Sequence, residues 1–170
     1  MIIEGENVRL RPATPDDLPA YTRWYTDREF RHYMGNGSDT FSFLNSPQAD
    51  QVNFSVEMKD GRLIGMVFVI DIRTRNRNCE LGIVAIGEPA DRDKGYGTET
   101  VKLALSFCFG ELNMHQVHIR TAEFNERVRA CYAKLFPGQQ VHRQWVWEDG
   151  RFWDEIYFDV TEEEWAAKSA

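Results

Sequence analysis

Seven residues limit the possible folds of this chain more than any others. Arg92-Asp93-Lys94-Gly95-Tyr96-Gly97-Thr98 follow a strand-like run, Cys79 to Ile86, and lead straight into Thr98 to Leu112. That last segment carries Val101, Leu103, Ala104, Leu105, Phe107, Cys108, Phe109 and Leu112. A helix apolar on so many sides has to be buried, so a sheet and a covering helix must meet at this loop. The unpaired N–H groups and partial positive charge of a helix N-terminus favour an anion, and glycines let a ligand approach the main chain closely. Lys94 and Arg92 would add charge there. The loop lacks the Gly-Lys-Ser/Thr of a Walker loop. Strand hairpins precede it, in place of the β-α-β opening with three glycines that a dinucleotide fold requires. A tight strand-to-helix turn with no ligand would use the same two glycines.

Around this loop the pattern is that of an α/β (α+β) chain. Val8 to Arg11 alternates like a short strand, and Thr14-Pro15-Asp16-Asp17 reads as a helix start, with Thr14 as cap and Leu18, Tyr21, Trp24 and Tyr25 on one face. Gly35 to Pro47 is rich in Gly, Asn and Ser, an irregular segment long enough to be a lid. Phe54 to Met58 and Leu63 to Ile70 read as strands joined at Asp60-Gly61, and Val141 to Trp147 and Phe152 to Val160 as strands joined at Asp149-Gly150. Val117 to Ala122 reads as a further strand and Asn125 to Leu135 as a helix with Val128, Cys131, Tyr132 and Leu135 on one face. Thr161 and Glu164 match a capping box for a short terminal helix.

Composition narrows the class. The 170 residues make one domain (1–170) with a real core and leave no room for a second. A formal charge of -7 argues against nucleic acid as a partner and permits a cationic one. Three dispersed cysteines, Cys79, Cys108 and Cys131, fit free thiols in a reducing cytoplasm, the opening residues do not read as a signal peptide, and no apolar run suits a membrane span. His115 and His118 are three apart without further ligands nearby, so no metal is expected.

From Glu80 to Tyr132 the chain resembles the acetyl-CoA site of the GNAT superfamily of N-acetyltransferases. Arg92, Gly95 and Gly97 match that family's Arg/Gln-x-x-Gly-x-Gly/Ala signature, Glu80 to Val84 its preceding strand, and Asn125 to Tyr132 its Asn-to-Tyr element, about two helical turns long. Leu112-Asn113-Met114-His115 resembles the branch holding ribosomal-protein N-terminal and polyamine acetyltransferases. The resemblance implies a mixed, mostly antiparallel sheet flanked by helices, with a splayed strand pair holding acetyl-CoA. It implies that Arg92, Asp93, Lys94, Gly95, Tyr96, Gly97 and Thr98 receive the pyrophosphate, that the main chain of Val84, Ala85 and Ile86 receives the pantetheine, and that Asn125 and Arg127 complete the cofactor site. Three positions depart from the family pattern: Asp93 for Gly, Thr100 for Ala, and Phe136-Pro137-Gly138 for Gly-Phe. Asp93 should turn its carboxylate outward, since a phosphate would repel it.

The same resemblance makes Tyr132 the proton donor to the departing thiolate and Glu80 a base for the acceptor amine. Each has a plainer reading: Tyr132 as packing, Glu80 as a structural strand carboxylate, Asn125 as an ordinary helix cap. Trp24, Tyr25, Phe30, His32 and Tyr33 lie where relatives shape the acceptor pocket, or else pack a core. The expected reaction is direct transfer in a ternary complex, because no cysteine falls at a matched catalytic position. The acceptor is expected to be a peptide N-terminal α-amine, with a polyamine or other small amine as the alternative. A non-catalytic acetyl-CoA sensor and a homodimer are also compatible with the sequence.

Overall fold

The computed structural model describes residues 1–35, 41–44 and 46–169. Part of the proposed lid, 36–40 and 45, therefore lies outside the described residues; toward its end Ser42–Leu44 forms one 3-10 turn with Leu44 buried.

Eight strands among the described residues form one sheet: β1 (Ile3–Glu4), β2 (Val8–Pro12), β3 (Val52–Met58), β4 (Leu63–Arg73), β5 (Asn78–Ile86), β6 (Gln116–Ala122), β7 (Gly138–Glu148) and β8 (Arg151–Thr161). Their order is β1-β2-β3-β4-β5-β6-β8-β7, antiparallel except where β5 meets β6. This is the mostly antiparallel mixed sheet expected from the sequence. The hairpin turns fall where Asp-Gly put them, with Gly61 at φ 90° and Gly150 at φ 75°, a region that only glycine enters without cost.

Among the described residues five α-helices cover the sheet: α1 (Leu18–Trp24), α2 (Arg28–Met34), α3 (Tyr96–Gly110), α4 (Glu126–Leu135) and α5 (Glu162–Ser169). Alternation along the strands sends Val67, Val69, Cys79, Leu81, Val117, Ile119, Ile156 and Phe158 to one face, where they bury Val101, Ala104, Leu105 and Cys108 of α3 and Tyr132 and Leu135 of α4. Met66, Phe68 and Ala85 point to the other face and pack beneath Tyr21, Trp24 and Phe30. A buried polar chain pins the first helical turn to the sheet: the Tyr21 and Ser55 hydroxyls lie 2.7 Å apart, Ser55 donates to Asp17, and Arg11 holds the same carboxylate. The aromatic stretch divides accordingly. Trp24 and Phe30 are core and Tyr25 packs against it, whereas His32 and Tyr33 reach across to Phe124.

Several boundaries moved by one to three residues, and two of the shifts have a clear cause. The buried helix starts at Tyr96, two residues earlier than its apolar pattern suggests, because Gly95 sits at φ 85° and turns the chain into the helix there. Strand β7 starts at Gly138, since Gly138 to Gln140 pair with Tyr157 to Asp159. The terminal capping box is made: Glu164 accepts from the Thr161 N–H and donates its own to the Thr161 hydroxyl. No described helix is long and apolar enough to cross a membrane.

Candidate active site

The site begins where β5 and β6 part. Their parallel pairing runs from Asn78/Gln116 to Leu81/Ile119 and stops. On its other edge β5 stays paired with β4 as far as Ile86, but with a bulge that leaves Gly82 without a Cα partner. A bulge adds local twist, and here it falls at the residue where β6 is lost. A side chain at position 82 would meet Ile70 at 2.3 Å, so the packing beneath suits glycine. Val84, Ala85 and Ile86 thus present one main-chain edge to an open wedge. This is the splayed pair that the resemblance implied.

The wedge leads to the N-terminus of α3. Ile86 faces Gly97, where an added Cβ would lie 3.8 Å from its side chain, so the end of β5 abuts the helix's first turn. The first intrahelical bond recorded there, Glu99 N–H to the Gly95 carbonyl, leaves the N–H groups of Tyr96, Gly97 and Thr98 without a carbonyl four residues back inside the helix. Lys94 is exposed and forms no ion pair among the described residues. Arg92 is engaged with protein groups. Its guanidinium donates to the Ile86 and Gly87 carbonyls and pairs with Asp27 and Glu29, so it ties the end of β5 to α2. Asp93 has an exposed side chain, as expected, and pairs with Arg127 at the start of α4.

On the α4 side Asn125 precedes the helix but its side chain makes no capping bond; it donates to Thr121 at 3.2 Å, and its amide oxygen takes no hydrogen bond among the described residues. Thr98 and Cys131 meet at 3.1 Å, joining the first turn of α3 to the residue before Tyr132. The Tyr132 ring is buried against Phe136 and Phe158. Its hydroxyl has no hydrogen-bond partner among the described residues, and burial pushes its pKa up, so it stays protonated.

Glu80 lies on the α1/α2 face in the paired half of β5. His118 Nε2 is 3.3 Å from one of its oxygens and Arg120 Nε 2.7 Å from the other. Burial alone would raise its pKa, but the His118 hydrogen bond and the Arg120 charge prevail and hold it below the usual carboxylate range. A carboxylate held ionised in this way is a weak base. His115 pairs separately with Glu162, so the two histidines have different partners.

Beside Gly82 the same face opens into a cleft of about 280 Å³ lined by Asp50, Gln51, Phe68, Ile70, Asp71 and Ile83. It has an apolar floor and two exposed carboxylates. Sequence reasoning found neither this cleft nor Arg120. Both depend on strand register, which no local pattern encodes.

Residues 7–135 match the family model described as an acetyltransferase (GNAT) domain, and the chain belongs to that family. It is an acetyltransferase. Among curated relatives, it is 25% identical over 166 residues to the SPbeta prophage-derived uncharacterized N-acetyltransferase YokL of Bacillus subtilis, covering 94% of this chain and 93% of that one. It is 24% identical over 176 residues to the spermidine N(1)-acetyltransferase of Escherichia coli, covering 96% and 91%. A solved structure of spermidine N-acetyltransferase from Vibrio cholerae, in complex with CoA and spermine, shares the fold with a TM-score of 0.82 at 21% identity, covering 95% of this chain and 99% of that one.

Proposed function

We propose that the protein moves an acetyl group from acetyl-CoA to a small aliphatic amine carrying more than one positive charge, by direct attack in a ternary complex. In this reading the phosphates bind at the first turn of α3 with Lys94 beside them, the pantetheine lies in the wedge along Val84 to Ile86 with Asn125 hydrogen-bonding it, and Tyr132 returns a proton to the sulfur. A phenol that stays protonated and whose hydroxyl has no hydrogen-bond partner among the described residues is suited to that task.

The cleft carries the acceptor assignment. Alkyl segments suit Phe68, Ile70 and Ile83, and ammonium groups suit Asp50 and Asp71 at its rim. The spermidine acetyltransferase relative supports the same choice, and we therefore favour it over the peptide α-amine expected from sequence. Thiol release measured with spermidine, a monoamine and a short peptide should rank them in that order. A peptide N-terminus preferred over spermidine would overturn the assignment.

A further inference from the structure

The strand order β5-β6-β8-β7 lays a row of polar side chains across the α1/α2 face. Glu80 stands beside His118, Arg120 beside Tyr157, and Ala122 beside Glu155, which faces His142. Charge in this row does not balance. Two carboxylates share the guanidinium of Arg120, and Glu80 has the close contact at 2.7 Å while Glu155 has one at 3.9 Å. Glu80 also has His118.

Glu155 is left short. Its side chain is 12% exposed, and among the described residues its Oε2 is buried without a hydrogen bond; Glu80 Oε1 is buried without one as well, but has the Arg120 guanidinium against it as an ion pair. Leaving a buried acceptor unsatisfied costs on the order of 1–3 kcal/mol, a cost that a bound donor removes. Ala122, its neighbour on β6, offers no polar group, and Ala122 is the end of β6, past the point where the strands have parted. The charged and titratable groups facing Glu155 are Arg120 from β6, His142 from β7, Tyr157 on its own strand and Glu80 beyond Arg120. Burial raises its pKa above the usual carboxylate range; Arg120 and His142 oppose the rise and Glu80 adds to it.

We propose that Glu155 is the carboxylate that binds the acceptor's ammonium group and takes its proton. The inference rests on the amine-acetyltransferase reading above and assigns its base. An alkylammonium with a pKa near ~10.4 is almost wholly protonated at pH 7, so one proton must leave before nitrogen can attack, and Glu155 takes it. The C–N bond then forms and the C–S bond breaks. Sulfur takes a proton from Tyr132, the second proton leaving nitrogen restores the Tyr132 phenol, and Glu155 releases its proton to water.

The test compares wild type with Glu155→Gln and Glu155→Asp, using acetyl-CoA binding by calorimetry and spermidine-dependent thiol release from pH 6 to 10. Glu155→Gln should bind acetyl-CoA like wild type and lose about 10²-fold or more in kcat/KM for the amine at pH 7. The deficit should narrow as pH approaches the amine's own pKa, an effect that a purely structural role would not produce. Wild-type kcat/KM in Glu155→Gln overturns the assignment. If Glu155→Gln does not fold, Glu155→Asp keeps the charge and serves instead: a tenfold or larger fall in kcat/KM supports the role, and an unchanged profile overturns it. Wild-type protein that binds acetyl-CoA but acetylates no amine refutes the acceptor reading itself, and this base with it.

Discussion

Along β5, Asn78–Leu81 lies between β4 and β6 and is paired on both sides, whereas Gly82–Ile86 is paired with β4 alone. Asn78 and Glu80 make the first half the more polar one, but side-chain polarity does not set the pairing. The difference between the halves comes from the bulge at Gly82 and from where the pairing with β6 stops. In the paired half a charged residue such as Glu80 is consumed by neighbours on the next strand. In the open half the main chain has no strand on its β6 edge, and the approach of Ile86 to Gly97 brings it to a helix N-terminus. Two groups that take no hydrogen bond among the described residues, the Tyr132 hydroxyl and the Asn125 amide oxygen, belong to α4 and its cap, whose preceding strand β6 forms the wedge's other wall. Chemistry is available where pairing ends.

The largest effect should come from blocking the open half at its helix end. Gly95→Glu meets no protein atom within 4 Å of its new Cβ, but it forces a side chain at φ 85° and puts a carboxylate at the N-terminus of α3. The strain is worth about 1–2 kcal/mol, so the protein should still fold. Acetyl-CoA binding should vanish in calorimetry. Undiminished affinity in a folded variant would remove the phosphate assignment and, with it, the functional meaning given to the wedge.

Next in size is Tyr132→Phe. The ring's packing against Phe136 and Phe158 is kept and no protein hydrogen bond is lost, so neither stability nor acetyl-CoA affinity should fall. Turnover should drop about 10²-fold if proton return to sulfur runs through that oxygen. A variant that turns over at the wild-type rate, with chemistry shown to be rate-limiting, would leave the hydroxyl as packing.

The paired half should respond the other way, in stability before activity. The Glu80 pKa is lowered in the folded protein, so its contribution is present above the ordinary carboxylate pKa and is lost as pH falls through the lowered value. Glu80→Gln should therefore cost about 1–3 kcal/mol near neutral pH, measured by urea unfolding, and much less in acid. Its kcat/KM should fall far less than that of the Glu155 variant. A larger fall would return the base to β5.

Sequence revealed the two regions unequally. The loop from Arg92 to Thr98 and the Asn125/Tyr132 spacing were readable because each is local, set by glycines and helical period within a few residues. The hairpins were readable for the same reason. Where β6 and β8 lie was not, since β8 inserts between β6 and β7; that order brings Glu155 beside Ala122, and the parallel β5/β6 pairing brings Arg120 near Glu80. Arg92 has contacts that its place in a family motif did not disclose: Asp27 and Glu29, distant in sequence, pair with its guanidinium.

The smallest expected effect lies on the rim between loop and helix. Asp93 is at φ 65°, a conformation asparagine tolerates nearly as well as glycine, so Asp93→Asn changes the charge with little strain on the backbone. Its partner Arg127 and the carboxylate itself are both more than half exposed, and such pairs contribute little to folding. The effect should fall on the ligand. Asparagine removes a negative charge from beside the polyphosphate and releases Arg127 to face it, so acetyl-CoA affinity should rise about two- to threefold at low ionic strength. Screening at a Debye length near ~3 Å in 1 M salt should erase the gain. Calorimetry at both salt concentrations tests the point. A loss of affinity in Asp93→Asn would mean that the pair's job is to hold Arg127 where the cofactor needs it.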